Sequence, residues 1–150
     1  MVRVLFYEGK DDEKMKLTGY LTETAKTKMN VEGFDYVADR PVADGGENSG
    51  MSPHGYLLAS IAGCKMMVAE SFLRANGHSF EKVEVEAESD LQGRRREERI
   101  DIVVDMRIIG AELNEADERH LKQFVDGACP MANLLTASGS NTVKTEIVVE

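Results

Sequence analysis

The chain has 150 residues, enough for one domain with a sizeable core, and 42% of them are hydrophobic against 30% charged, the balance of an ordered protein. A formal net charge of −9 argues against a nucleic-acid-binding surface, which needs the opposite sign. The opening MVRVLFYEG does not read as a secretory signal, and the apolar run from Gly55 to Cys64 is too short to span a bilayer. A soluble, cytoplasmic protein with no nucleic-acid or membrane partner is expected.

Val2, Val4 and Phe6 alternate with Arg3, Leu5 and Tyr7, which predicts an opening strand before the charged turn Glu8 to Lys14. Lys16 to Thr24, Thr27 to Val31 and Phe34 to Ala38 read as short strands of an antiparallel meander. Asp39 to Met51, rich in Gly and polar residues, is a loop leading straight into the next helix. That helix is the centre of the chain. Ser52 and Pro53 are its start signals and Asn76 and Gly77 its stop signals, so it holds about 23 residues and is roughly 35 Å long. Leu57, Ile61, Cys64, Val68 and Phe72 share one face, and Leu58, Ala62, Met66, Ala69 and Leu73 the adjoining one, which predicts cover on most sides.

Phe80 to Asp90 and Arg99 to Gly110 alternate cleanly and read as a hairpin, with Val83, Val85 and Ala87 on one face and Ile100, Ile102, Val104, Met106 and Ile108 aligned. The turn between them carries Arg94, Arg95 and Arg96, a charged tip expected to be solvated. Asn114 caps a further helix with Leu121, Phe124 and Val125 as its apolar stripe and Gly127 at its end. Pro130 starts a short third helix, and Thr142 to Val149 alternates as a last strand. The expected fold is a single α+β domain over 1–150, with antiparallel sheets around a long central helix.

The residues that bear chemistry are few. Two cysteines are not a disulfide framework; in a reducing compartment they serve as thiols, metal ligands or a transient redox pair. Cys64 alone reads as a small core hydrophobe. Cys129 lies at a helix N-terminus, where dipole and free N–H groups favour a thiolate. Together they suggest thiolate attack on a peroxide followed by condensation to a disulfide, if the fold brings them within reach. Zinc held by both cysteines and one of His54, His78 or His120 lacks CxxC or HxxxH spacing. Gly45, Gly46 and Gly50 fit neither phosphate-loop nor dinucleotide spacing and serve turns. Arg40 in the loop is a candidate for lowering a cysteine pKa, with Glu47 and His54 as candidates to orient it or accept a proton.

The segment GGENSGMSPHGYLLASIAGCKMM, followed much later by ACPMANLL, resembles the OsmC/Ohr family of thiol peroxidases, OsmC-like branch. The matching positions are Pro53, Cys64, Cys129 and Pro130, and the order of elements matches along nearly the whole chain. The resemblance implies an intertwined homodimer that reduces organic hydroperoxides with no metal or organic cofactor. It implies Cys64 as the attacking thiolate, Cys129 as the resolving thiol, and thioredoxin or a lipoylated protein as the dithiol reductant. It also implies an arginine, matched to Arg40, oriented by a glutamate after the helix-opening proline; His54 stands there instead, with Glu47 as a substitute from the loop. A thiol peroxidase is the reading this supports. The alternative is a non-catalytic protein of the same fold that binds an apolar small molecule, its thiols structural.

Overall fold

A computed structural model describes residues 14–93 and 98–150. The expected opening strand and Arg94, Arg95 and Arg96 lie outside the described residues. The described chain forms two compact units, residues 14–57 and residues 58–150.

The first unit is the meander. Strands β1 (Leu17–Leu21), β2 (Thr27–Val31) and β3 (Phe34–Ala38) pair antiparallel in that order, with Gly19 opposite Met29 and Met29 opposite Tyr36. Both connections are tight, and Gly33 takes the left-handed backbone at φ +88° in the second. The loop that follows contains a single 3₁₀ turn, Val42–Asp44, and returns to the sheet through a bridge between Met51 and Ala38. Tyr56 ties the first turn of the central helix to this sheet by donating its hydroxyl to the Val37 carbonyl at 2.7 Å.

Helix α1 runs Pro53–Ala75, with the capping its sequence predicts. Ser52 Oγ accepts from the Gly55 N–H at 3.1 Å, and Pro53 occupies the first turn without leaving a donor unpaired. At the far end the His78 N–H reaches the Leu73 carbonyl and the Gly77 N–H the Arg74 carbonyl, with Gly77 at φ +75°, the paired bonds of a Schellman stop. Its buried positions, Ile61, Ala62, Lys65, Val68, Ala69, Phe72 and Leu73, form one stripe rather than a wrap on most sides. Met67 stays exposed because it falls off that stripe, whereas Leu57 lies on it, one turn before its first buried residue, and is 37% exposed. By length and composition alone α1 is apolar enough to cross a membrane, with a mean hydropathy of 1.3, longer than the run read from the sequence. Its buried stripe forms part of the core, which accounts for that composition.

The second unit also holds a sheet ordered β4-β5-β6, from β4 (Lys82–Gln92), β5 (Arg99–Ile109) and β6 (Thr142–Val149). The hairpin runs from Lys82 opposite Ile109 to Gln92 opposite Arg99. β6 departs from the expected antiparallel arrangement: it pairs parallel to β5, Asp101 beside Thr142 through Ile108 beside Val149. The connection carries helices α2 (Glu115–Ala128) and α3 (Pro130–Thr136), which gives the chain the length a parallel return needs. The alternation in β5 is realised in full, with Ile100, Ile102, Val104, Met106 and Ile108 all buried among Leu73, Leu121 and Val125 in one core. Each such side chain contributes about 1.5–3 kcal/mol relative to exposure. Asn114 caps α2 by accepting from the Ala116 and Asp117 N–H groups. Gly127 lies inside the last turn of α2 rather than ending it; the helix stops at Ala128 because the Pro130 ring disfavours helical backbone at Cys129.

Candidate functional site

The two cysteines come together within the second unit. Cys64 sits midway along α1, half-buried at the edge of the buried stripe. Cys129 is the single residue between α2 and α3, held in extended backbone at φ −79°, ψ 106°, and its side chain is fully buried. The Cys129 thiol donates toward Cys64 Sγ at 2.9 Å, and both cysteines are free. A disulfide bond measures about 2.05 Å, so the sulfurs need only a small approach to join.

The electrostatics of Cys129 differ from the sequence expectation. Its Sγ does accept the Ala132 N–H of α3, at 3.4 Å, as a helix-start residue should. Burial, with the hydrogen bond to Cys64 second, outweighs that contact and pushes the thiol up to about 11. Cys129 is therefore held as a thiol, not as the acidified cysteine its position suggests.

A third group beside them was not singled out from the sequence. Lys65 follows Cys64 and is 1% exposed. Its Nζ donates to the Val125 carbonyl at 3.3 Å and lies 3.6 Å from Asp126 Oδ1. The signal was present in the helical spacing, since Ile61, Lys65, Val68 and Phe72 fall on one stripe and only the lysine is charged.

Arg40, Glu47 and His54 belong to the first unit. Arg40 is exposed, and its guanidinium has no ion-pair or hydrogen-bond partner among the described residues. Glu47 does not orient it: the Glu47 carboxylate pairs with Lys26 Nζ at 2.5 Å, which raises the Lys26 pKa. The nearer cation on β2's approach takes the carboxylate that was a candidate partner for the arginine. His54 is the second residue of α1 and half-buried.

What shapes the loop is Asp39, read from the sequence only as its first residue. Asp39 is buried and accepts the N–H groups of Arg40, Glu47 and Ser49 and the Ser49 hydroxyl. These bonds, the Ser49 pair foremost, hold its carboxyl down at about 2. Gly46 and Gly50 serve the same loop by close approach, since a Cβ at Gly46 would stand 2.0 Å from the Arg40 carbonyl oxygen and one at Gly50 2.3 Å from that of Val37. No cluster of three or more His, Cys, Asp or Glu side chains placed to hold a metal occurs among the described residues.

The family model described as OsmC-like protein matches residues 46–146, which hold both cysteines and α1 to most of β6. No curated protein sequence matches significantly. Among solved structures, an OsmC-like protein from Mycoplasma pneumoniae superposes with a TM-score of 0.74 at 18% identity, covering 92% of this chain and 98% of that one. An organic hydroperoxide resistance protein OsmC from Legionella pneumophila gives 0.73 at 18% identity, covering 93% and 100%. The organic hydroperoxide resistance protein OhrB of Bacillus subtilis gives 0.65 at 17% identity, covering 91% and 98%. At these identities the structures speak for the fold alone, and together with the family match they carry one conclusion: this chain belongs to the OsmC-like protein family.

Proposed function

We propose that this protein is a thiol peroxidase that reduces organic hydroperoxides to alcohols through Cys64 and a Cys64–Cys129 disulfide. The observation that carries the reading is the thiol pair itself, two free sulfurs 2.9 Å apart, one reachable and one fully buried. The names of the Legionella and Bacillus structures point to the same substrate class.

The Cys64 thiolate attacks the terminal peroxide oxygen, the O–O bond breaks, and the alcohol leaves with a proton. Cys64 is then a sulfenic acid, and the Cys129 sulfur attacks it to form the disulfide and release water. An external dithiol, thioredoxin or a lipoylated protein by family analogy, opens the disulfide and becomes oxidised. Apolar neighbours of Cys64 on α1, Ile61 and Val68 among them, favour an organic over a hydrophilic peroxide. Arg40 is assigned the thiolate-stabilising role by family analogy, and its guanidinium is uncommitted among the described residues. The protein acts as a homodimer in this reading. Leu17, Leu21 and Phe34, all more than half exposed on one side of the β1–β3 sheet, suit an intersubunit face.

The test is exposure of the reduced protein to one equivalent of an organic hydroperoxide with peptide mapping by mass spectrometry. Rapid loss of both thiols into a Cys64–Cys129 bridge is expected. Two unchanged thiols after full exposure would sink the mechanism and leave a binding protein with structural thiols.

A further inference from the structure

Lys65 is a buried cation with no part in the chemistry just described. It interrupts the apolar stripe of α1, where an aliphatic residue would pack at less desolvation cost. Its ammonium is drawn to the last turn of α2, at the Val125 carbonyl and the Asp126 carboxylate. That turn contains no basic residue of its own, so Lys65 supplies from another helix the positive charge that a helix C-terminus favours. Cys129 is the residue at which α2 ends.

We propose that Lys65 is the positioning charge of the resolving step, the group that lets Cys129 act as a thiolate when the disulfide closes and leave as one when it reopens. The inference rests on the peroxidase reading of the thiol pair. In closure, Cys129 gives up its proton and its sulfur attacks the Cys64 sulfenic sulfur. The S–O bond breaks and hydroxide takes up a proton as water. In reopening, a thiolate of the external dithiol attacks Cys64 Sγ, and Cys129 leaves with the electron pair of the S–S bond. In both steps negative charge stands on a sulfur inside the core, where burial disfavours it. The groups acting on Cys129 are few. Burial and then Cys64 on α1 hold the proton on, while the Ala132 N–H of α3 and, to a smaller extent, the charge of Lys65 draw it off. α2 brings no charge to Cys129 itself, but its Asp126 partly neutralises Lys65.

With only two cysteines in the chain, Cys64→Ser leaves Cys129 as the sole thiol, and its ionisation can be followed against pH by the 13Cβ chemical shift of labelled cysteine. Adding Lys65→Met, similar in shape and without charge, is expected to move that midpoint up. Adding Asp126→Asn instead is expected to move it down, because Lys65 loses its counter-charge; Asp126 is 44% exposed, so this variant folds even if the first does not. With both cysteines present, Lys65→Met should let the Cys64 sulfenic acid accumulate after hydroperoxide, read as a dimedone adduct. A Cys129 midpoint that ignores both substitutions overturns the proposal, as does one that moves up in Asp126→Asn. The titration needs no turnover, so it is read separately from whether hydroperoxide closes the disulfide in the unaltered protein.

Discussion

Closing the Cys64–Cys129 bridge should raise the stability of the protein by an amount its chain geometry sets. The two residues are 65 positions apart, and the chain-entropy relation for a loop of that size gives about 4 kcal/mol. The thiols already lie 2.9 Å apart in the reduced fold, so little of that term is offset by rearrangement. For a chain of this length about 4 kcal/mol corresponds to a rise in melting temperature of roughly 8–16 °C. The assay is thermal unfolding followed by circular dichroism, on protein reduced with a dithiol and on protein oxidised with one equivalent of hydroperoxide. Peptide mapping verifies the linkage, and Cys129→Ser treated identically should show no rise. A mapped intramolecular bridge without an increase in melting temperature would refute the reasoning, because the fold would then be strained by a bond its reduced geometry is said to accept.

Cys64→Ser should abolish hydroperoxide reduction, whereas Cys129→Ser should consume one equivalent and stop at a sulfenic acid that a dimedone adduct reports. Cys129 is raised from an ordinary thiol value of 9.0 to about 11; a raised group contributes stability below its unfolded value and loses it as pH rises, so reduced protein should weaken from pH 9 towards 11 and Cys129→Ser should flatten that limb in alkaline melts. Asp39 runs the other way: its carboxyl is depressed to about 2, so the contribution is present above the usual carboxylate value and lost as pH falls through 2. Asp39→Asn should loosen the loop at every pH, seen as faster amide exchange at Glu47 and Ser49. Gly46→Ala places a Cβ 2.0 Å from the Arg40 carbonyl oxygen and should cost about 1–3 kcal/mol in chemical denaturation or shift the loop visibly by NMR.

The central helix was legible because its signals are local: a Ser-Pro start, an Asn-Gly stop and a period of 3.6 between them. The β5 register was legible for the same reason, five apolar residues at a period of two. The parallel pairing of β6 was not, since strand direction depends on where α2 and α3 carry the chain. Lys65 was missed because a lysine after an apolar run reads as the point where a helix meets water; only the stripe it falls on reveals that it is buried. The ion pair of Glu47 with Lys26, twenty-one residues earlier in sequence, was not legible because it forms across the meander. The thiol pair was suggested by composition and by family resemblance, but its distance comes from packing α1 with the α2–α3 junction in one core.

The order of the two thiols follows from burial under the proposed mechanism. A helix N-terminus argues for Cys129 as the nucleophile, and one N–H does reach its sulfur. Yet a peroxide would have to reach a fully buried sulfur whose proton is held until about pH 11. Cys64 is the reachable sulfur, and the Cys129 proton points at it. Hiding the resolving thiol keeps it from being oxidised in its own right, which a second exposed thiolate would risk. The cost is a slow deprotonation, and that cost is bearable only because the target sulfur is already in contact. Proximity replaces reactivity in the second step. A buried lysine beside the pair is what such an arrangement needs, for it raises the reactivity of Cys129 without opening it to solvent.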